Sequence, residues 1–163
     1  MFLNVIGYLY RMRIRMRNMA TLFGTACIVA ACGTGWFVTK DYAENKECLA
    51  MNIYHEARGE SIEGQYAVAH VTMNRVSDDR WDNNICDVVY QPKQFSWTHT
   101  ILDHTPKDKK AWAIANEVAR ATLDGRVSDN TSNSTHYHAE YVNPFWTDDY
   151  EEVKQIGIHI FYR

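Results

Sequence analysis

A chain of 163 residues, 46% hydrophobic and 13% aromatic, has room for one domain and an appendage, and its composition excludes a disordered or collagen-like protein. The net charge of −3 is unevenly spread: residues 1–40 carry Arg11, Arg13, Arg15, Arg17 and Lys40 with no acid, while the rest sets 12 basic residues against 20 acidic ones. An acidic body without a basic stripe excludes nucleic acid as a partner.

In chain order, the first feature is the uncharged apolar run from Met19 to Val38, about the length a helix needs to cross a bilayer. The arginines before it stay in the cytoplasm by the positive-inside rule, which places the body on the far side of the membrane. Three readings fit residues 19–38: a retained N-in, C-out membrane anchor, a cleaved signal peptide, or a lipoprotein signal with its box at Val29-Ala-Ala-Cys32. All three make an exported body, tethered to the inner membrane or released on the periplasmic, cell-wall side. In that oxidising setting its two cysteines, Cys48 and Cys86, are expected to form a disulfide. Neither belongs to a C-x-x-C zinc pair.

Residues 41–46 read as a polar linker, and residues 47–163 as one catalytic body without repeats or low-complexity stretches. A helix is predicted from Glu47 to Ala57, with Leu49, Ile53 and Ala57 on one face. A second, from Ile62 to Val76, places Ile62, Tyr66, Ala69, Met73 and Val76 along a stripe. Residues 77–106 are loop-rich, with short apolar pieces. A third helix takes Thr105 as N-cap, Pro106 as first residue and Gly125 as stop. Thr135 to Val142 and Gln155 to Tyr162 have strand character, and Ile156, Ile158, Ile160 and Tyr162 alternate along the second. The expected class is α+β, with helices beside a small antiparallel sheet.

The densest chemical feature is Glu56-Ala-Arg-Gly-Glu60, two carboxylates around an arginine at a helix end. Glycoside cleavage needs a carboxylic acid that stays protonated near neutral pH, and burial can supply one. Glu56 ends an apolar helix and suits that role. Glu60 opens the next turn and is expected to be solvated or paired with Arg58.

The blocks Cys48-Leu-Ala-Met-Asn-Ile-Tyr-His-Glu-Ala-Arg-Gly-Glu60, Gly64-Gln-Tyr-Ala-Val-Ala-His-Val-Thr-Met-Asn-Arg-Val76, Ile85-Cys-Asp-Val-Val-Tyr-Gln91, Gln94-Phe-Ser-Trp97, Thr135-His-Tyr-His138 and Pro144-Phe-Trp146 resemble the SleB-type cell-wall hydrolases. That family includes spore-cortex lytic enzymes and phage endolysins. The resemblance implies a peptidoglycan-cleaving enzyme with a lysozyme-like helical core and Glu56 as the catalytic acid, with no cofactor. It also implies that Asn74, Gln94, Phe95, Ser96, Trp97, His136 and Tyr137 line or support a glycan groove. Amides bond sugar hydroxyl and acetamido groups and aromatic faces stack on pyranose rings, although Phe95 and Trp97 also suit a core.

No second acid stands at a motif position. A hydrolase usually pairs its acid with a second carboxylate, whereas a lytic transglycosylase uses the C6 hydroxyl of the muramoyl sugar itself. The sequence therefore points to a lytic transglycosylase, with a hydrolytic muramidase or a zinc amidase built on His136-x-His138 as the alternatives, and a non-catalytic wall-binding protein as the non-enzyme reading.

Overall fold

A computed structural model describes residues 34–163, with side chains from Lys40 onward. The chain divides into two units, Met1–Thr39 and Lys40–Arg163, and the second carries the three-stranded sheet. Most of the run 19–38, and the arginines before it, lie outside the described residues. No helix among the described residues is long and apolar enough to cross a membrane.

The first helix among the described residues, α1, runs Thr34–Ala57 and so continues through residues 41–46, which read as a linker in the sequence. Leu49, Ile53 and Ala57 are buried on one face, as their spacing predicts. A tight corner follows, and α2 (Ile62–Ser77) opens on Ser61, whose hydroxyl accepts from the Gly64 amide at 3.2 Å.

The predicted stripe on α2 is only part of its buried surface. Ile62 is 50% exposed, whereas Ala67, Val68, Val71, Thr72 and Arg75 are buried. The helix packs on α3 (Ile85–Tyr90) and α5 (Lys109–Leu123) and also on the sheet. Ala69 joins the core of α1 and α5, while Ala67 and Val71 join Ile156 and Phe161 of the sheet. A helix enclosed by two layers buries more than one stripe.

The loop-rich stretch contains α3, capped by Asn84, and the single turn α4 (Trp97–Thr100). Helix α5 starts later than predicted. Its N-cap is Asp108, whose carboxylate accepts from Lys110 N and Ala111 N at 2.9 and 3.0 Å. The Tyr54 hydroxyl accepts from both Lys107 N and Asp108 N at 3.0 Å. This tie holds the Thr105–Pro106 segment out of the helix. Gly125, at φ 66°, follows the C-cap as expected.

The alternating run from Gln155 to Tyr162 is a hairpin and not one strand. Strand β2 covers Glu152–Ile156 and β3 covers His159–Tyr162. Gly157, at φ 60°, holds the first turn position, where type II′ loops favour glycine. With β1 (His136–Ala139) they form a three-stranded antiparallel sheet in the order β1-β3-β2. The domain is mostly helical, with this sheet on one side of α2. The two cysteines are joined, Cys48 on α1 to Cys86 on α3, with their Cα atoms 5.2 Å apart.

Candidate active site

Three elements converge on Glu56. It projects from the last turn of α1 and is partly buried. Tyr137 of β1 donates its hydroxyl to Glu56 Oε2 at 3.1 Å. Arg75, from the last turn of α2, is buried close enough for its charge to act on both. Burial pushes the Glu56 carboxyl above the usual carboxylate range, against the opposing pull of the Tyr137 hydrogen bond and the Arg75 charge. Among the described residues no neighbouring carboxylate contributes to that rise. The Tyr137 hydroxyl is itself pushed well above its ordinary value, first by burial and then by the charge of Glu56, so it remains a proton-bearing donor.

Glu60 is used differently from its expected role. It is neither free in solvent nor paired with Arg58: its Oε2 accepts from the backbone N–H of Ile158 at 3.2 Å, tying the α1–α2 corner to the hairpin turn. A Cβ added at Gly157 would overlap that oxygen. Arg58 instead lies over the Tyr54 ring, 5.1 Å from its centroid.

The other predicted residues fall into distinct places. Tyr137 and His136 are consecutive in a strand, so they face opposite sides of the sheet. Tyr137 shares its face with Phe161, at 5.6 Å between ring centroids. His136 sits in an aromatic cluster, 4.0 Å from Tyr150, 5.4 Å from Trp146 and 5.6 Å from Trp81. Gln94 borders that cluster and accepts from Trp81 Nε1 at 3.3 Å.

Phe95 and Trp97 are 2% and 3% exposed, so they support the site from the core and present no face for a sugar to stack on. Trp97 donates to Asn52 Oδ1 at 3.0 Å and stacks on His55. Ser96 is exposed, and its hydroxyl makes no capping bond. Asn74 spends its amide N–H groups on the loop before β1, reaching Ser134 O at 2.9 Å, Thr131 Oγ1 at 3.2 Å and Asp129 Oδ2 at 3.3 Å. It therefore holds the loop that delivers His136 and Tyr137.

Sequence reasoning misses Arg75, although the residue carries a signal. It falls at i+4 from Val71 and i+7 from Val68, both fully buried, and a charge on such a stripe marks a functional or paired position. Trp81 and Tyr150, which enclose His136, lie outside the matched blocks and give no comparable cue.

His136 also provides a test of this arrangement. Burial, with Arg75 and Arg80 adding to it and Asp78 opposing, lowers its pKa from 6.5 to about 4. The folded state therefore binds fewer protons than the unfolded chain between those values, and stability should fall as pH drops from about 6.5 towards 4. Urea midpoints measured across that window should decline, and His136→Phe should flatten the decline. An unchanged slope in the variant would remove His136 as its source.

The histidine pair is already engaged within the protein. His138 Nδ1 lies 2.9 Å from Ala139 O and Nε2 2.9 Å from the Tyr162 hydroxyl, and His136 Nδ1 lies 3.0 Å from Thr135 Oγ1. Among the described residues no three His, Cys, Asp or Glu side chains group so as to hold a metal ion.

A half-buried carboxyl with a raised pKa, set between a helical layer and a small sheet, defines a candidate acid catalyst. The chain belongs to the Cell Wall Hydrolase family, whose model matches residues 59–162. That match begins just after Glu56. The chain is 33% identical to the spore cortex-lytic enzyme of Bacillus subtilis (strain 168) over 139 residues, which is 82% of this chain and 41% of that protein. It is 30% identical to the Oceanobacillus iheyensis spore cortex-lytic enzyme over 128 residues, 76% of this chain and 44% of that one. It thus spans somewhat under half the length of these relatives.

Among solved structures, the catalytic domain of the Bacillus cereus SleB protein superposes with a TM-score of 0.58 at 27% identity, covering 74% of this chain and 91% of that one. The catalytic domain of a germination-specific lytic transglycosylase, SleB from Bacillus anthracis, has the same fold, with a TM-score of 0.60 at 23% identity over 83% of this chain and 100% of that one.

Proposed function

We propose that this chain is a lytic transglycosylase that cuts the MurNAc–GlcNAc bond of peptidoglycan, with Glu56 as its single catalytic acid and base. The observation that carries the reading is the Glu56 carboxyl itself, pushed up by burial and held by Tyr137, with no carboxylate among the described residues raising it further. Family membership supports a cell-wall substrate. In the first step the Glu56 proton passes to the glycosidic oxygen, the bond from that oxygen to C1 of the muramoyl sugar breaks, and GlcNAc leaves as an alcohol. The C6 hydroxyl of the same muramoyl sugar then attacks C1 and gives its proton to the Glu56 carboxylate. No water is consumed, and the acid is restored.

Such a step requires no second carboxylate, because the nucleophile is already held within the substrate. Two candidate second carboxylates for a hydrolytic route are Glu60 and Asp87. Glu60 is committed to the Ile158 amide and Asp87 is exposed on α3. The helical core is read as lysozyme-like, with Ser96, Asn74, Gln94 and His136 lining or supporting the glycan path. Residues 19–38 serve as a membrane anchor or export signal that puts the body on the cell-wall side, and the Cys48–Cys86 disulfide suits that compartment.

Mass spectrometry of muropeptides released from purified sacculi tests the reaction. The expected products end in 1,6-anhydro-N-acetylmuramic acid, keep the amide to the stem peptide, and form equally well with a chelator present. Reducing-end muramic acid as the main product indicates a hydrolase. Free stem peptides beside intact glycan strands indicate an amidase, and either outcome removes the proposal.

A further inference from the structure

A single carboxyl that gives up a proton and then takes one back must be stable enough in both forms, and its burial favours only the neutral one. Glu56 therefore needs something that steadies its anion. Arg75 is 5% exposed. Its Nε donates to Thr135 O at 2.7 Å, and its guanidinium carbon lies 5.0 Å from the Phe95 ring centroid and 5.6 Å from that of Trp81. These contacts fix the plane of the group. They do not neutralise it: Nη1 is buried with no hydrogen-bond partner, and Arg75 forms no salt bridge, both among the described residues.

A buried, always-charged guanidinium left without a counter-ion is costly. Its position is understandable if the counter-ion appears during turnover. Thr135, whose carbonyl Arg75 grips, lies two residues before Tyr137, whose hydroxyl holds Glu56. The guanidinium, the phenol and the carboxyl are thus braced by one strand entry.

We infer that Arg75 is the positioning residue that lets Glu56 act first as acid and then as base, because the buried guanidinium becomes charge-compensated only when the Glu56 proton has left. The inference rests on Glu56 being the catalytic acid. Arg75 makes the carboxyl a stronger acid towards the glycosidic oxygen by stabilising the carboxylate until the C6 hydroxyl returns a proton. Tyr137 assists from the other side as a neutral donor. Among the described residues, the groups that act on Glu56 are Tyr137 from β1, through its hydrogen bond, and Arg75 from α2, through its charge. On its own helix, the His55 ring turns away to stack on Trp97, and Arg58 lies over Tyr54.

The test uses the full chain, a soluble peptidoglycan oligosaccharide as substrate, and the variants Arg75→Met, Arg75→Lys and Glu56→Gln. Arg75→Met should lower kcat by about tenfold or more with KM little changed, because the lost interaction belongs to the transition state. The alkaline limb of its pH profile should move to higher pH, since removing a positive charge raises the Glu56 pKa further. Arg75→Lys should return the limb towards its original place. A folded Arg75→Met variant with kcat and limb unchanged overturns the proposal.

If Arg75→Met does not fold, the unsubstituted protein decides. The guanidinium nitrogen resonances of Arg75 should titrate with the same midpoint as the Glu56 carboxyl carbon, and resonances that stay flat through that midpoint overturn the pairing. Glu56→Gln separates the two readings. Full activity in that variant means the acid itself is misassigned, whereas an inactive Glu56→Gln beside an unaffected Arg75→Met rejects only the role of Arg75.

Discussion

Replacing Glu56 by glutamine is expected to lower lysis of purified sacculi by at least about a hundredfold while leaving the fold intact, since loss of a positioned general acid typically costs about 10²–10⁴ in rate. The amide keeps the shape of the side chain and an oxygen that can accept from the Tyr137 hydroxyl, so packing around the site should persist. It has no proton to give at the glycosidic oxygen. Glu60→Gln is the matched control, because it lies in the same short segment and also retains an acceptor for the Ile158 amide. Turbidity loss of sacculi, read alongside circular dichroism, should separate the two variants by more than about tenfold. Equal losses in two folded proteins would leave the assignment of Glu56 without support.

A second large effect is expected from the cross-link between α1 and α3. Cys48 and Cys86 stand 38 residues apart, and closing a loop of that length is worth about 3–4 kcal/mol in the chain-entropy account. That is a substantial share of the roughly 5–15 kcal/mol by which domains are stable. Cys86 lies in the first turn of a six-residue helix, too short to hold itself in place. Denaturant midpoints measured with and without reductant, and for the double variant Cys48→Ala, Cys86→Ala, should fall together. A midpoint that ignores reduction would show that packing around Val88 and Val89 holds α3 without the bond. Peptide mapping of protein isolated without reductant should recover the linked pair.

Much of this architecture is legible wherever a local rule acts alone. The spacing of Leu49, Ile53 and Ala57 gives the buried face of α1, Gly125 gives the end of α5, and two cysteines in an exported body give the disulfide. Misreadings arise where a distant group intervenes. Thr105 is a sound helix cap locally, but the Tyr54 hydroxyl draws Lys107 and Asp108 to itself and moves the start to Asp108. Residues 41–46 are polar, yet they continue the helix that follows.

The run from Ile156 to Tyr162 alternates well enough to pass for one strand, and Gly157 in its midst is the cue for a turn. In the site, Glu56 and Tyr137 are named from the sequence and are in contact. The opposite facing of His136 and Tyr137 follows from strand geometry once β1 is placed. The burial of Phe95 and Trp97 does not, because an aromatic residue reads the same whether it meets a sugar or the core. Arg75 stays hidden because an arginine in the last turn of a helix, next to the polar Asn74, is easily taken for its exposed side.

The contact between Glu60 and the hairpin turn has a mechanical consequence. The corner between α1 and α2 meets the sheet at two separate points, through Glu56 to Tyr137 and through Glu60 to Ile158. One point of attachment would leave the sheet free to swivel about it. Two points, on either side of the same corner, remove that rotation, much as a second bolt stops a hinged plate from turning. Glu60 would then act as the gauge that keeps Glu56 at a constant distance from Tyr137.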